Sequence, residues 1–165
     1  MIAGGEKRPR SVLVVIHTPA MDVLLLHRQQ PFDFWQSVTG SLEPDETPRE
    51  AAVREVFEET GLSAPDYAFL DWGLNNRYPI PPKWRHRYAP EVSHNTETVF
   101  SLCLPTPLPI TLDAAEHHGA EWLPARDAID RIWSWTNRDA VRLCARIDPR
   151  ISATFTRHLA STSKN

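Results

Sequence analysis

Polar and apolar positions sort into a few regular runs along the chain. Residues 11–17 and 22–28 are rich in Val, Leu and Ile, with Pro19 in the turn between them. Near-continuous runs of this length read as a pair of buried strands. Residues 29–34 are turn-rich, and 36–39 read as a short strand ending at Gly40. Residues 68–74, 96–104 and 120–123 have strand composition. Pro79, Pro81 and Pro82 predict a stiff loop, and Pro105, Pro107 and Pro109 stop the strand before them.

Thr47-Pro48-Arg49-Glu50 is a helix start: Thr47 can cap, Pro48 suits the first helical position, and Glu50 completes a capping box. The pattern runs to Thr60, where Gly61 can supply a left-handed cap. Ala52, Val53, Val56, Phe57 and Thr60 form its less polar face, with Glu55, Glu58 and Glu59 opposite. Pro124 opens a second helix to Trp133, and Asn137 caps a third through Arg146, with Ala140, Leu143, Cys144 and Ile147 at apolar spacing. The residues after Ala153 lack a pattern and read as a frayed tail. Strands and helices mixed in this order predict an α/β domain with a mixed sheet between helices.

Three glutamates at i, i+3 and i+4 on one helical side are costly. Like charges there repel by a few tenths of a kcal/mol per pair, and the C-terminal end of the dipole disfavours them. A cation offsets both effects, and Mg²⁺, which takes oxygen ligands, is the natural filler. The plain alternative is a solvated acidic face neutralised by Arg49 and Arg54. The frame around the string decides between them. Gly40 lies six residues before Glu46, Arg54-Glu55 begins eight residues after it, and Gly61-Leu62 closes the run. This pattern resembles the Nudix box, GX5EX7REUXEEXGU with U bulky and apolar, at every defined position.

The resemblance implies the Nudix fold, an α/β/α sandwich, and metal-dependent hydrolysis of a diphosphate linked to another group. It implies Glu55 and Glu59 as metal ligands and Glu58 as a ligand or catalytic partner. Arg54 would orient a glutamate through a bidentate pair, and Glu46 would brace the loop–helix junction. Mg²⁺ is the implied cofactor, with Mn²⁺ as a substitute. The sequence has no GxxxxGK[ST] phosphate loop, so metals must do much of the phosphate binding.

Flanking blocks narrow the resemblance. Lys7-Arg8-Pro9, residues 33–40, 85–90 and 95–97, and Ser134-Trp135-Thr136-Asn137-Arg138 look like the branch of the Nudix family that acts on a pterin triphosphate. The implied reaction releases pyrophosphate from 7,8-dihydroneopterin 3'-triphosphate and leaves the monophosphate, a step of folate biosynthesis. Lys7, Arg28, Thr39 and Ser134 are the implied substrate contacts, with Tyr78, Pro79, Ile80 and Pro81 in a substrate-lining loop. Glu116 is an implied distal metal ligand, and the general base stays open between Glu58 and Glu116. Two other readings stand beside this one: a broader nucleoside triphosphate diphosphatase preferring dATP-like substrates, and a Nudix-fold binding module without catalysis. The intact Arg54, Glu55, Glu58 and Glu59 argue against the last. His117 and His118 read as a polar loop rather than as metal ligands. Trp35 reads as a core or pocket wall, and Trp133 and Trp135 as packing beneath the last helices. His86, Arg87 and Tyr88 read either as a solvated basic stretch or as substrate contacts.

Length and composition fit this picture. At 165 residues the chain is expected to be one domain, with a core over about 7–150. Cys103 and Cys144 lie in apolar runs and read as buried reduced thiols. No stretch approaches the ~20 apolar residues of a membrane span, so a cytoplasmic, monomeric protein is the default expectation. Net charge is −3, and residues 43–59 hold seven acids and two bases, which places −5 there and +2 elsewhere. Such a balance disfavours long nucleic acids but suits a small triphosphate, pterin or nucleoside, arriving with a metal.

Overall fold

The computed structural model describes residues 5–30 and 32–146. Seven strands form one mixed sheet: β1 (Arg10–His17), β2 (Asp22–Arg28), β3 (Phe34–Gln36), β4 (Val38–Ser41), β5 (Ala68–Pro79), β6 (His94–Cys103) and β7 (Gly119–Pro124). Three helices pack on it: α1 (Pro48–Thr60), α2 (Ala125–Arg131) and α3 (Trp135–Arg146). Short 3-10 turns span Ala64–Asp66 and Pro82–Arg87.

At the centre, β1 runs parallel to β6 through the whole register from Arg10↔Thr96 to His17↔Cys103. On its other side, β1 pairs with β4 over Ser11–Val14 but with β2 only at His17↔Val23. The sheet therefore opens where β4 enters. The start of β1, the end of β2 and the Thr39-Gly40 pair meet at that opening.

Alternation along β1 separates two cores. Val12, Val14 and Ile16 pack with Ala51, Ala52 and Val56 of α1, together with Phe100 and Leu102 of β6. Leu13 and Val15 pack with Val99 of β6, Ala128 and Ile132, and Ala140, Val141 and Cys144 of α3. The result is the expected α/β/α layering. Cys103 and Cys144 are both buried thiols, as expected.

Several element boundaries differ from the sequence reading. The strand expected at 36–39 is two strands, because Ser37 turns inward and its backbone N–H donates to Asn137 Oδ1 at 2.8 Å. Asn137 is accordingly a buried cross-link inside α3, which starts at Trp135, rather than a cap. The second helix stops at Arg131, not Trp133. Pro79 ends β5 instead of lying in a loop: it faces His94 at the last rung of the ladder, where a missing N–H is tolerated. Ile147 and the tail after Ala153 fall outside the described residues.

Candidate active site

Helix α1 begins as expected. Thr47 Oγ1 accepts the Glu50 N–H at 3.2 Å, and Glu50 Oε2 accepts the Thr47 N–H at 2.8 Å. Gly61 closes it at φ 74°, its N–H donating to Phe57 O. A left-handed residue there favours glycine.

The faces of α1 are a correction. Glu55 and Glu59 are buried with Ala51, Ala52 and Val56, while Phe57 is 62% exposed. Ala52, Glu55, Val56 and Glu59 follow the i, i+3, i+4 stripe that faces the sheet, and Phe57 falls off it. The stripe looks onto the sheet opening rather than onto a closed apolar wall, so carboxylates occupy two of its positions. Gly40 makes room for one of them: a Cβ there would stand 2.0 Å from Glu55 Oε1.

Arg54 organises the carboxylates. Its Nε donates to Glu46 Oε2 at 2.7 Å and Nη2 to Glu46 Oε1 at 2.8 Å, a bidentate pair. Its Nη1 donates to Glu55 Oε1 at 2.8 Å and to Glu58 Oε2 at 3.2 Å. Glu46 also accepts the Glu43 N–H, tying the loop to the helix, and Arg54 holds its carboxyl below the usual range. Glu55 is pushed up to about 7 by burial, with Arg54 opposing. Glu59 is raised well above its ordinary value, first by burial and then by Glu55 and Glu116.

Glu116 and His117 approach from the loop before β7. One ligand atom each from Glu59, Glu116 and His117 lie within 4.8 Å of one another. His117 corrects the polar-loop expectation. It is 2% exposed, and the next residue ties it to the sheet edge, the His118 N–H donating to His27 O of β2. Burial, then Arg28, lowers its imidazole to about 4. Glu59 Oε2 and both His117 nitrogens have no hydrogen-bond partner. Oxygen donors with orphaned lone pairs and a neutral imidazole are a donor set that a divalent cation fits.

On the opposite face of the sheet lies a cavity of about 460 Å³. Lys7, Arg28, Thr39, Tyr78, Pro79, Ile80, Pro81 and Ser134 all line it. Lys7, Arg28 and Arg87 put cations at the end nearer the carboxylates. Burial lowers the Lys7 pKa and Arg87 and Arg28 add to that, while Glu55 and Glu116 pull it back. Lys7 thus feels both halves of the site. The backbone bond from Lys7 N to Arg87 O, at 2.8 Å, holds those two cations together.

Aromatic rings form one wall. Trp84 and Trp133 meet edge to face at 5.6 Å, and Phe34 and Trp133 at 5.3 Å. Trp133 and Trp135 line the cavity and are partly exposed, which corrects their expected role as packing beneath the helices. The early end of α2 at Arg131 is the reason, since it leaves 133–135 to cross the cavity mouth. Trp35 instead stacks on His27 at 4.4 Å, outside the cavity lining. Of the basic stretch, Arg87 and Tyr88 reach the cavity and His86 does not. Sequence reasoning missed Gln36, Trp84, Asn95 and Glu97 as lining residues. Gln36, Asn95 and Glu97 fall within the blocks that carry the resemblance, and the signal in the residues themselves was polar Asn95 and Glu97 alternating into apolar Val99 on a central strand.

Comparison with known proteins agrees with this geometry. The NUDIX domain model matches residues 7–144. The dihydroneopterin triphosphate diphosphatase of Escherichia coli K12 is 44% identical over 138 residues, covering 82% of this chain and 91% of its own length. The Haemophilus influenzae protein of the same name is 39% identical over 141 residues, covering 82% and 87%. The solved structure of the Escherichia coli dihydroneopterin triphosphate pyrophosphohydrolase superposes with a TM-score of 0.77 at 42% identity, over 84% of this chain and 95% of that one. The carboxylate helix, the sheet opening beneath it and the match across 7–144 together make this chain a member of the NUDIX domain family.

Proposed function

We propose that this chain hydrolyses 7,8-dihydroneopterin 3'-triphosphate to the monophosphate and pyrophosphate, with Mg²⁺ as cofactor and Mn²⁺ able to replace it. One observation carries the reading. An aromatic-walled cavity on one face of the sheet is lined by Lys7 and Arg28, whose charges also reach Glu55, Glu59 and Glu116 on the other face. A flat heterocycle, a polyphosphate and a metal need those three environments in that order. Relatives bearing this activity by name cover most of the chain.

Glu55, Glu59 and Glu116 would hold the divalent cation, with His117 beside them. A bound cation supplies polarisation of phosphate oxygens and acidification of a water. The protein does the rest. Lys7, Arg28 and Arg87 screen the polyphosphate and the charge that builds on the leaving pyrophosphate. Arg54 fixes Glu55 and Glu58 in place. Glu58 or Glu116 takes the proton from the attacking water as its oxygen bonds to phosphorus and the bridging P–O bond to pyrophosphate breaks. Thr39, Ser134 and the 78–81 segment orient the substrate in the cavity.

The test is pyrophosphate release and kcat/KM for dihydroneopterin triphosphate beside dATP, with and without Mg²⁺. The pterin is expected to lead clearly, and chelation to abolish turnover. A dATP preference would overturn the assignment in favour of a nucleotide diphosphatase. No helix among the described residues is long and apolar enough to cross a membrane, and we place the reaction in the cytoplasm.

A further inference from the structure

Polar groups on the cavity floor carry an unspent pattern. Gln36 on β3 and Asn95 and Glu97 on β6 all line the cavity, and each is at least 95% buried. Each also keeps one side-chain atom without a hydrogen-bond partner: Gln36 Nε2, Asn95 Oδ1 and Glu97 Oε1. Buried polar atoms are nearly always paired, so three orphans on one floor are unusual.

Their surroundings hold them in place. Asn95 Nδ2 donates to Ser11 Oγ at 2.8 Å and to Tyr78 Oη at 2.9 Å, which leaves its Oδ1 as the spare atom. The Thr136 and Asn76 side chains hydrogen-bond the Glu97 carboxylate, while burial pushes its pKa up to about 7. Asn95 and Glu97 sit two residues apart on one strand, so they share a face.

The set offers one donor and two acceptors. A 2-amino-4-oxopyrimidine edge presents one acceptor, its oxo group, and two donors, the ring N–H and the amino group. That edge belongs to pterins and to guanine. Adenine's edge presents an amino donor beside a ring-nitrogen acceptor, whose lone pair would meet an acceptor, since the spare Asn95 Oδ1 cannot donate.

We infer that Gln36, Asn95 and Glu97 read the 2-amino-4-oxopyrimidine edge of the substrate, with Glu97 Oε1 and Asn95 Oδ1 each taking an N–H donor and Gln36 Nε2 donating to the oxo group. The inference rests on the substrate reading above and supplies its specificity. Phe34, Trp84 and Trp133 line the same cavity and give the ring its flat apolar wall. A site built around such polar groups rejects a ligand that leaves them unpaired more strongly than an apolar slot rejects a misfit.

Two experiments test it, one of which needs no variant. With wild-type protein, kcat/KM is compared for GTP and ITP, which differ only by the 2-amino group. Loss of about tenfold or more on removing that group is expected. Equal values would overturn the inference. In the second, Glu97→Gln is assayed with dihydroneopterin triphosphate and with dATP, and direct binding of phosphate-free dihydroneopterin is followed by tryptophan fluorescence. Pterin kcat/KM should fall about a hundredfold or more and dihydroneopterin binding should weaken in parallel, so that the preference for the pterin over dATP drops at least about tenfold. An equal loss on both substrates would mark Glu97 as structural and sink the inference. Failure of the proposed function looks different: wild-type protein would then turn over dATP in preference to the pterin.

Discussion

The two faces of the sheet at this site are built by opposite means. On the α1 face, the machinery comes from one stretch, Gly40 to Leu62, plus Glu116. On the other face, the cavity draws on residues from Lys7 to Arg138, in at least six separate segments. The first is local, charged and held by one arginine with four side-chain bonds to glutamates. The second is non-local and mostly aromatic or neutral. Chemistry that every substrate shares sits in the compact element. Chemistry that tells substrates apart is spread over strands and loops, which vary one residue at a time.

If that division holds, damage to the α1 face lowers kcat and damage to the cavity raises KM. The largest effect is expected from Glu59→Gln. Turnover should fall about a thousandfold, about 4 kcal/mol of barrier, with KM little changed. Its melting temperature should not drop, because the change removes a buried, partly orphaned acid. Unaltered kcat in that variant would break the comparison at its base.

Gly40→Ala comes next. The new methyl must displace the Glu55 carboxylate it would meet at 2.0 Å. A loss in kcat of about ten- to a hundredfold is expected, read by steady-state kinetics beside a circular dichroism check of the fold. Trp133→Ala should do the reverse. KM for the pterin rises about tenfold, near 1.4 kcal/mol of binding, with kcat nearly intact. A kcat-only defect there would erase the distinction between the faces.

The smallest effect concerns pH and stability. Glu97 rises from an ordinary 4.5 to about 7 in the folded protein. The folded state therefore holds that proton more tightly. The stabilisation is fully present below about 4.5 and is lost as pH climbs through about 7. Glu97→Gln cannot titrate. The melting temperature of wild type relative to this variant should fall by a few degrees from pH 4 to pH 8. A difference independent of pH would mean that Glu97 is not perturbed.

How much of this was legible in the sequence follows the same split. The box declared itself because helix capping, glutamate spacing and both glycines lie within one short window. Even there, the apolar-face argument put Phe57 inside and Glu55 outside, since periodicity alone does not bury a carboxylate. Glu116 was reachable only through resemblance, being far from the box in sequence. Gln36, Asn95 and Glu97 were hidden because period two says which residues share a face, not which face stays open. His117 was hidden because its burial comes from the neighbouring β2–β7 edge rather than from its own tripeptide.

The alternation along β1 bears on how such a protein can be altered. Ser11 and Leu13 look into the cavity, while Val12 and Val14 look toward α1. Along β1 the two halves of the site share a backbone but no side chain. A library randomised at Ser11, Leu13, Asn95 and Glu97 would search ligand shape while every residue packed under the carboxylate helix stays as it is. The central strand works as a partition wall, and appetite for new substrates can drift on one side of it while the hydrolytic engine idles unchanged on the other.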